Sequence, residues 1–213
     1  WDVAAETEVC ALEGHTDFVR SGALNPASPH MFATGSYDHT VKLWDVKAQS
    51  CVMTLRHVAP VEDVLLLPGG GMLATASGNT LTVWDILSGG RVLHAVSAHS
   101  KTITSLCVDT AASQLFSASL DRTVKLYELG TGKVIGAIKY DAPLTCCALS
   151  PNASHLVVGT SDNSICIRRK KMNDSASASA PAVRDPLTLA SIGAPGRVAE
   201  ASSSEGPRPG TYR

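Results

Sequence analysis

The 213-residue chain has no stretch approaching the roughly 20 consecutive apolar residues that a membrane-spanning helix requires. It has almost no net charge, −1 with a pI near 6.7, so no bulk positive field draws the whole molecule onto nucleic acid. Any RNA or DNA contact must come from a local patch or through a partner. Its six cysteines, Cys10, Cys51, Cys107, Cys146, Cys147 and Cys166, contain no Cys-x-x-Cys pair. Most sit in apolar alternating runs, where cysteine behaves as a small hydrophobe. That favours a reducing compartment over a disulfide framework. None of the seven histidines shows zinc-type spacing with cysteine, and His30, His94 and His155 read as ordinary strand-edge residues. Gly69-Gly70-Gly71 has no following Gly-Lys-Ser/Thr and reads as a turn, not a phosphate loop. Gly130-Thr131-Gly132-Lys133 precedes a strand rather than a helix. No helical stripe is evident before residue 170. No initiator Met precedes Trp1, and the expectation is that the natural N-terminus lies upstream.

What is present is a repeat. Four segments, residues 32–45, 73–85, 115–128 and 156–169, share one pattern: an apolar run, small or hydroxyl residues, a tight turn, then a second alternating strand. The turn residue recurs as Asp38, Asn79, Asp121 and Asp162, with gaps of 41, 42 and 41. Upstream histidines recur as His15, His57 and His99, spaced by 42, and the next step lands on Asp141. Strand-end aromatics recur as Trp1, Trp44, Trp84 and Tyr127. The run Thr40–Val46 alternates with period two and is rich in β-branched and aromatic residues, so these segments are strands. The spacing predicts three four-stranded units near 18–56, 61–96 and 103–139, then a three-stranded unit near 144–169. Residues 1–12 read as the end of an earlier unit.

Gly14-His15 followed by Trp44-Asp45, with Ala-Thr-Gly-Ser-Tyr-Asp between them, resembles the WD40 repeat family over residues 1 to about 170. The resemblance implies an all-β fold: a partial β-propeller of about four blades, residues 1–171, whose ring does not close as given. It also implies one buried polar chain per blade. In blade one that chain is His15, Thr34, Asp38 and Trp44. Blade two offers His57, Thr75, Asn79 and Trp84; blade three His99, Ser117, Asp121 and Tyr127. Blade four keeps only Asp162, with Val158, Asp141 and Arg168 in the other places. A Ser-His-Asp set that repeats once per blade and is sealed by a core aromatic argues for architecture, not for catalysis. The chain is therefore expected to be no enzyme and to need no cofactor or metal.

In such propellers the residue before each turn Asp faces partners, which singles out Tyr37 and Leu120, with Arg20 beside the Gly-His segment. Arg168-Arg169-Lys170-Lys171 is a short basic run suited to phosphate, although four charges at a chain end are also an ordinary solvated terminus. Residues 172–213 are dominated by Ser, Ala, Pro and Gly and are expected to be disordered.

Several strings look more specific than the repeat demands: residues 13–20, 32–45, 83–90 and 119–125, and above all Pro60–Gly70 (PVEDVLLLPGG). Together they resemble the WD-repeat group of the U3 small nucleolar RNA-associated proteins. That resemblance implies a non-catalytic scaffold of the nucleolar small-subunit processome, needed for pre-rRNA processing toward 18S rRNA and linked to rDNA transcription. The implied partners are other subunits of its subcomplex, the U3 particle and the 5′ external transcribed spacer, met directly or through those subunits. Two further readings compete. A ubiquitin-ligase substrate receptor carries Arg two places after Trp-Asp; here Lys47 and Leu87 stand there. A signalling scaffold of the G-protein β type needs an N-terminal coiled coil.

Overall fold

The computed structural model describes residues 10–109, 111 and 113–169. Among these, every regular element is a β-strand. Blade one comprises β1 (Val19–Leu24), β2 (Met31–Ser36), β3 (Thr40–Asp45) and β4 (Ser50–Arg56). Blade two comprises β5 (Val61–Leu66), β6 (Met72–Ser77), β7 (Thr80–Asp85) and β8 (Arg91–Val96). Blade three comprises β9 (Ile103–Asp109), β10 (Gln114–Ser119), β11 (Thr123–Glu128) and β12 (Val134–Lys139). Blade four has β13 (Leu144–Leu149), β14 (His155–Thr160) and β15 (Ile165–Arg169). Each blade is an antiparallel meander in sequence order, and the blade bounds fall within a residue or two of those the spacing predicts. The expected tail at 172–213 and the expected earlier-blade strands before residue 10 lie outside the described residues.

The first strands of the blades pack side by side in the order β1, β5, β9, β13. Their alternation is interrupted at one repeated point. Register shifts skip Arg20, Glu62, Thr104 and Thr145, so each first strand carries a β-bulge at the same place. The bulge turns the next residue, Ser21, Asp63 or Ser105, toward the following blade.

The core lies between blades. Ala33, Val41, Leu43 and Leu55 of blade one join Val61, Val64, Leu66, Leu73 and Trp84 of blade two in one cluster. Two further clusters join blade two to blade three and blade three to blade four. The first seam is tight: a Cβ on Gly35 would stand 2.7 Å from a Val61 methyl, so only glycine fits there.

Candidate functional site

In blade one, Trp44 Nε1 donates to Thr34 Oγ1 at 2.7 Å, and His15 Nε2 lies 2.7 Å from the same oxygen. His15 Nδ1 lies 2.8 Å from Asp38 Oδ2. A carboxylate only accepts, so Nδ1 carries the proton. Nε2 then accepts from the Thr34 hydroxyl, which itself accepts from Trp44. This chain satisfies every donor in turn. Asp38 takes three further bonds, from the Thr16 and Thr40 amides and from Thr40 Oγ1. Burial alone would raise its carboxyl, but the donors from Thr40, His15 and the Thr16 amide outweigh it and hold Asp38 far below the usual carboxylate range.

Blade three repeats the arrangement with different residues. His99 Nδ1 is 2.8 Å from Asp121 Oδ2, His99 Nε2 is 2.6 Å from Ser117 Oγ, and Tyr127 Oη is 3.2 Å from the same hydroxyl. Burial likewise opposes, and the donors Thr123, His99 and the Ser100 amide prevail, lowering Asp121 to about 2. Ser117 is fully buried and His99 is 3 % exposed, so no substrate carbonyl can approach that hydroxyl. The geometry suits packing rather than nucleophilic attack.

The turn sets this geometry. Blades one and three place three residues between their second and third strands and blade four places four, and the third in each, His39, Arg122 or Asn163, is left-handed (φ 65–68°). Blade two has two, Gly78-Asn79, with Gly78 at φ 54°. One residue fewer carries Asn79 away from His57. Its amide donates instead to the His99 carbonyl at 3.2 Å. Trp84 Nε1 still donates to Thr75 Oγ1 at 3.0 Å, but Thr75 turns its own proton to the Thr82 carbonyl. His57 Nε2 is left buried without a hydrogen-bond partner, and the ring rests edge-on against Trp84. Burial pushes its pKa down to about 4. Of the four-residue chain expected in blade two, only the Trp84–Thr75 bond forms.

Blade four closes differently again. Asp162 takes Thr160 and Ser164 hydroxyls at 2.5 and 2.7 Å. Arg168, in the place of the Trp, stacks over the Tyr140 ring at 4.9 Å and donates to the Lys139 carbonyl. Arg168 and Arg169 are successive residues of β15 and point to opposite faces. The basic run is therefore not one patch along this strand, and Lys170 and Lys171 lie outside the described residues.

On the loop face, Tyr37 and Arg20 converge on one residue that the sequence reading passed over. Tyr37 Oη donates to Glu62, 3.2 Å from both oxygens, and Arg20 Nε lies 3.4 Å from Glu62 Oε2. Arg20 remains half exposed, whereas Leu120 is half-buried with its amide bonded to the Thr102 carbonyl. Asp63 was also missed. It accepts from Ser21 Oγ at 2.6 Å and from the Leu106 amide at 2.7 Å, tying blades one, two and three together. Ser21, Asp63 and Ser105 recur every 42 residues, which was the available signal. Asp45 and Asp85, which follow the tryptophans, cap the turns beyond β3 and β7 through the amides of Lys47 and Ala48, and of Leu87 and Ser88.

Four repeated antiparallel sheets, a hydroxyl–His–Asp set at matched places and Trp-Asp strand ends define a WD-repeat propeller protein. The family model described as WD domain, G-beta repeat matches residues 6–45, 49–85, 90–128 and 133–168, and the chain belongs to that family. Among curated relatives, it is 40 % identical over 175 residues to the U3 small nucleolar RNA-associated protein 15 homolog of Gallus gallus, covering 82 % of this chain and 34 % of that protein. It is 42 % identical over 171 residues to the homolog of the same name in Xenopus tropicalis, covering 80 % and 33 %. It is 42 % identical over 179 residues to Protein SLOW WALKER 1 of Arabidopsis thaliana, covering 82 % and 34 %. The chain thus spans about a third of the length of these relatives.

Proposed function

We propose that this chain is the WD-repeat part of a non-catalytic scaffold in ribosome biogenesis. It acts in the nucleolus, within the small-subunit processome, and supports pre-rRNA processing toward 18S rRNA and rDNA transcription. Its partners are the neighbouring protein subunits and, directly or through them, the U3 particle and the 5′ external transcribed spacer. The observation that carries this reading is the 40–42 % identity, over four-fifths of the chain, to relatives named for association with U3 small nucleolar RNA. The buried clamps support it further, because their polar groups are consumed by packing and leave recognition to loops and strand edges. Tyr37, Arg20 and Glu62 are a preorganised polar surface on the loop face, and Leu120 is the matching apolar position in blade three; we assign partner contact to these.

The test is affinity purification of the tagged full-length protein from nuclear extract, scored for U3 RNA and 5′ spacer RNA. Enrichment that survives moderate salt is the expected result. A purification without either RNA, recovering a cullin-type ligase instead, would overturn the reading.

A further inference from the structure

The seam between blades three and four differs chemically from the other two. At matched positions, the first seam places Ala23 and Val64 in one apolar cluster, and the second places Leu65 and Leu106 in another. The third places Cys107 and Cys147 there, with their sulfurs 3.6 Å apart. Both are free thiols on neighbouring first strands, β9 and β13. We propose that Cys107 and Cys147 form an oxidisable dithiol that closes, on reaction with peroxide, into a disulfide joining blade three to blade four.

A disulfide needs its sulfurs at about 2.05 Å, so closure asks for a movement of about 1.5 Å, within reach of side-chain rotation and a small shift of β13. Blade four can supply that shift: its described residues form three strands, and its Trp and His positions are filled by Arg168 and Asp141. The two exposed thiols are placed elsewhere. Cys146, the residue before Cys147, is exposed and points to the opposite face of β13, and Cys51 is exposed on β4 in another blade.

The chemistry suits a small oxidant, because Cys147 is buried and Cys107 only partly so. The contact between the two sulfurs, in which either can donate, pushes the Cys107 thiol up and the Cys147 thiol down, so Cys147 is the more readily deprotonated of the pair and reacts as its thiolate. Its sulfur attacks one oxygen of hydrogen peroxide. An S–O bond forms, the O–O bond breaks, and the departing hydroxide takes up a proton to become water. Cys107 sulfur then attacks the sulfenic sulfur of Cys147; the S–S bond forms, the S–O bond breaks, and the oxygen leaves as a second water with the Cys107 proton. Two thiols are oxidised and one peroxide is reduced to two waters. A thiol such as glutathione reverses the reaction by exchange.

The experiment treats the folded chain with hydrogen peroxide, blocks remaining thiols by alkylation and maps peptides by mass spectrometry, with and without a thiol reductant. The expected result is a reductant-sensitive Cys107–Cys147 linked peptide about 2 Da lighter than its two parts, with Cys51 and Cys146 still alkylated. Thermal unfolding of the oxidised chain moves up by several degrees, because the bond closes a long loop. Cys146→Ser keeps the link. Cys107→Ser abolishes it and leaves Cys147 as a sulfenic acid that dimedone labels. Two results would overturn the proposal: oxidation of Cys51 or Cys146 while Cys107 and Cys147 stay free, or a 107–147 link that forms only in denaturant.

Discussion

Blades two and three stand next to each other, share an apolar cluster and carry the same His, hydroxyl and aromatic positions, yet only blade three closes its polar chain. The difference traces to one turn residue. With three residues between the strands, Asp121 reaches back to His99 and the Ser100 amide. With two, Asn79 bonds across to the neighbouring blade and His57 is left with a buried, unpartnered nitrogen. A one-residue change in loop length thus converts a self-contained clamp into a tie between blades. Blade three is locked internally, whereas blade two depends more on its seams, among them the Asp63 bridge.

Truncating the turn carboxylate gives the largest contrast. Asp121→Ala strands His99 and frees the Thr123 and Ser100 donors, and should destabilise by ~1.5–3 kcal/mol, the range for hydrogen bonds to a charged group. Asn79→Ala removes one neutral bond and should cost about 1 kcal/mol. Denaturant titration of both variants checks the difference, and equal losses would erase the comparison.

Acid separates the blades by pH window. His57 is depressed in the folded state from 6.5 to about 4, so the unfolded chain takes up its proton first. Its stabilising contribution is complete above pH 6.5 and is lost as pH falls toward 4, at most ~3 kcal/mol. His99, lowered by burial against the opposing pull of Asp121, adds loss in the same direction. Asp38 and Asp121, depressed below ordinary carboxylates, begin to withdraw stability only below about pH 4. His57→Leu should flatten the stability profile between pH 6.5 and 4 while leaving the lower limb in place.

Lengthening the turn sharpens the comparison from the other side. Replacing Gly78-Asn79 with Leu-Asp-Arg, the blade-three turn, should let the new carboxylate reach His57 and stabilise by ~1–2 kcal/mol, since a buried unpaired group is relieved. The readout is the unfolding midpoint together with the loss of the His57-dependent pH limb. Arg168→Ala, in the blade that has lost the Trp, should cost only ~0.5–1 kcal/mol, the worth of an exposed cation–π contact.

The strand plan was legible in the sequence because period-two alternation and the 42-residue recurrence act together, and the His, hydroxyl, turn residue and aromatic recur in step with the strands in the first three blades. The blade-two exception was written there too, as a Ser-Gly-Asn-Thr turn one residue shorter than Ser-Tyr-Asp-His-Thr, but composition alone does not show where a shortened turn aims its side chain. Glu62 and Asp63 were harder to see. A bulge at Glu62 shifts the alternation by one, so simple counting assigns the next side chain to the wrong face. The Arg168–Arg169 run misled for a related reason: neighbours in sequence are on opposite faces of a strand. The Cys107–Cys147 contact joins positions 40 apart and needs the seam itself to be seen.

The most direct test of this account is a pair of double-mutant cycles, His99/Asp121 in blade three and His57/Asn79 in blade two, each read by equilibrium unfolding. The account predicts a coupling of ~2–3 kcal/mol for the first pair and about zero for the second. Comparable coupling in both blades would contradict it, because the missing turn residue would then make no difference to how a blade is held.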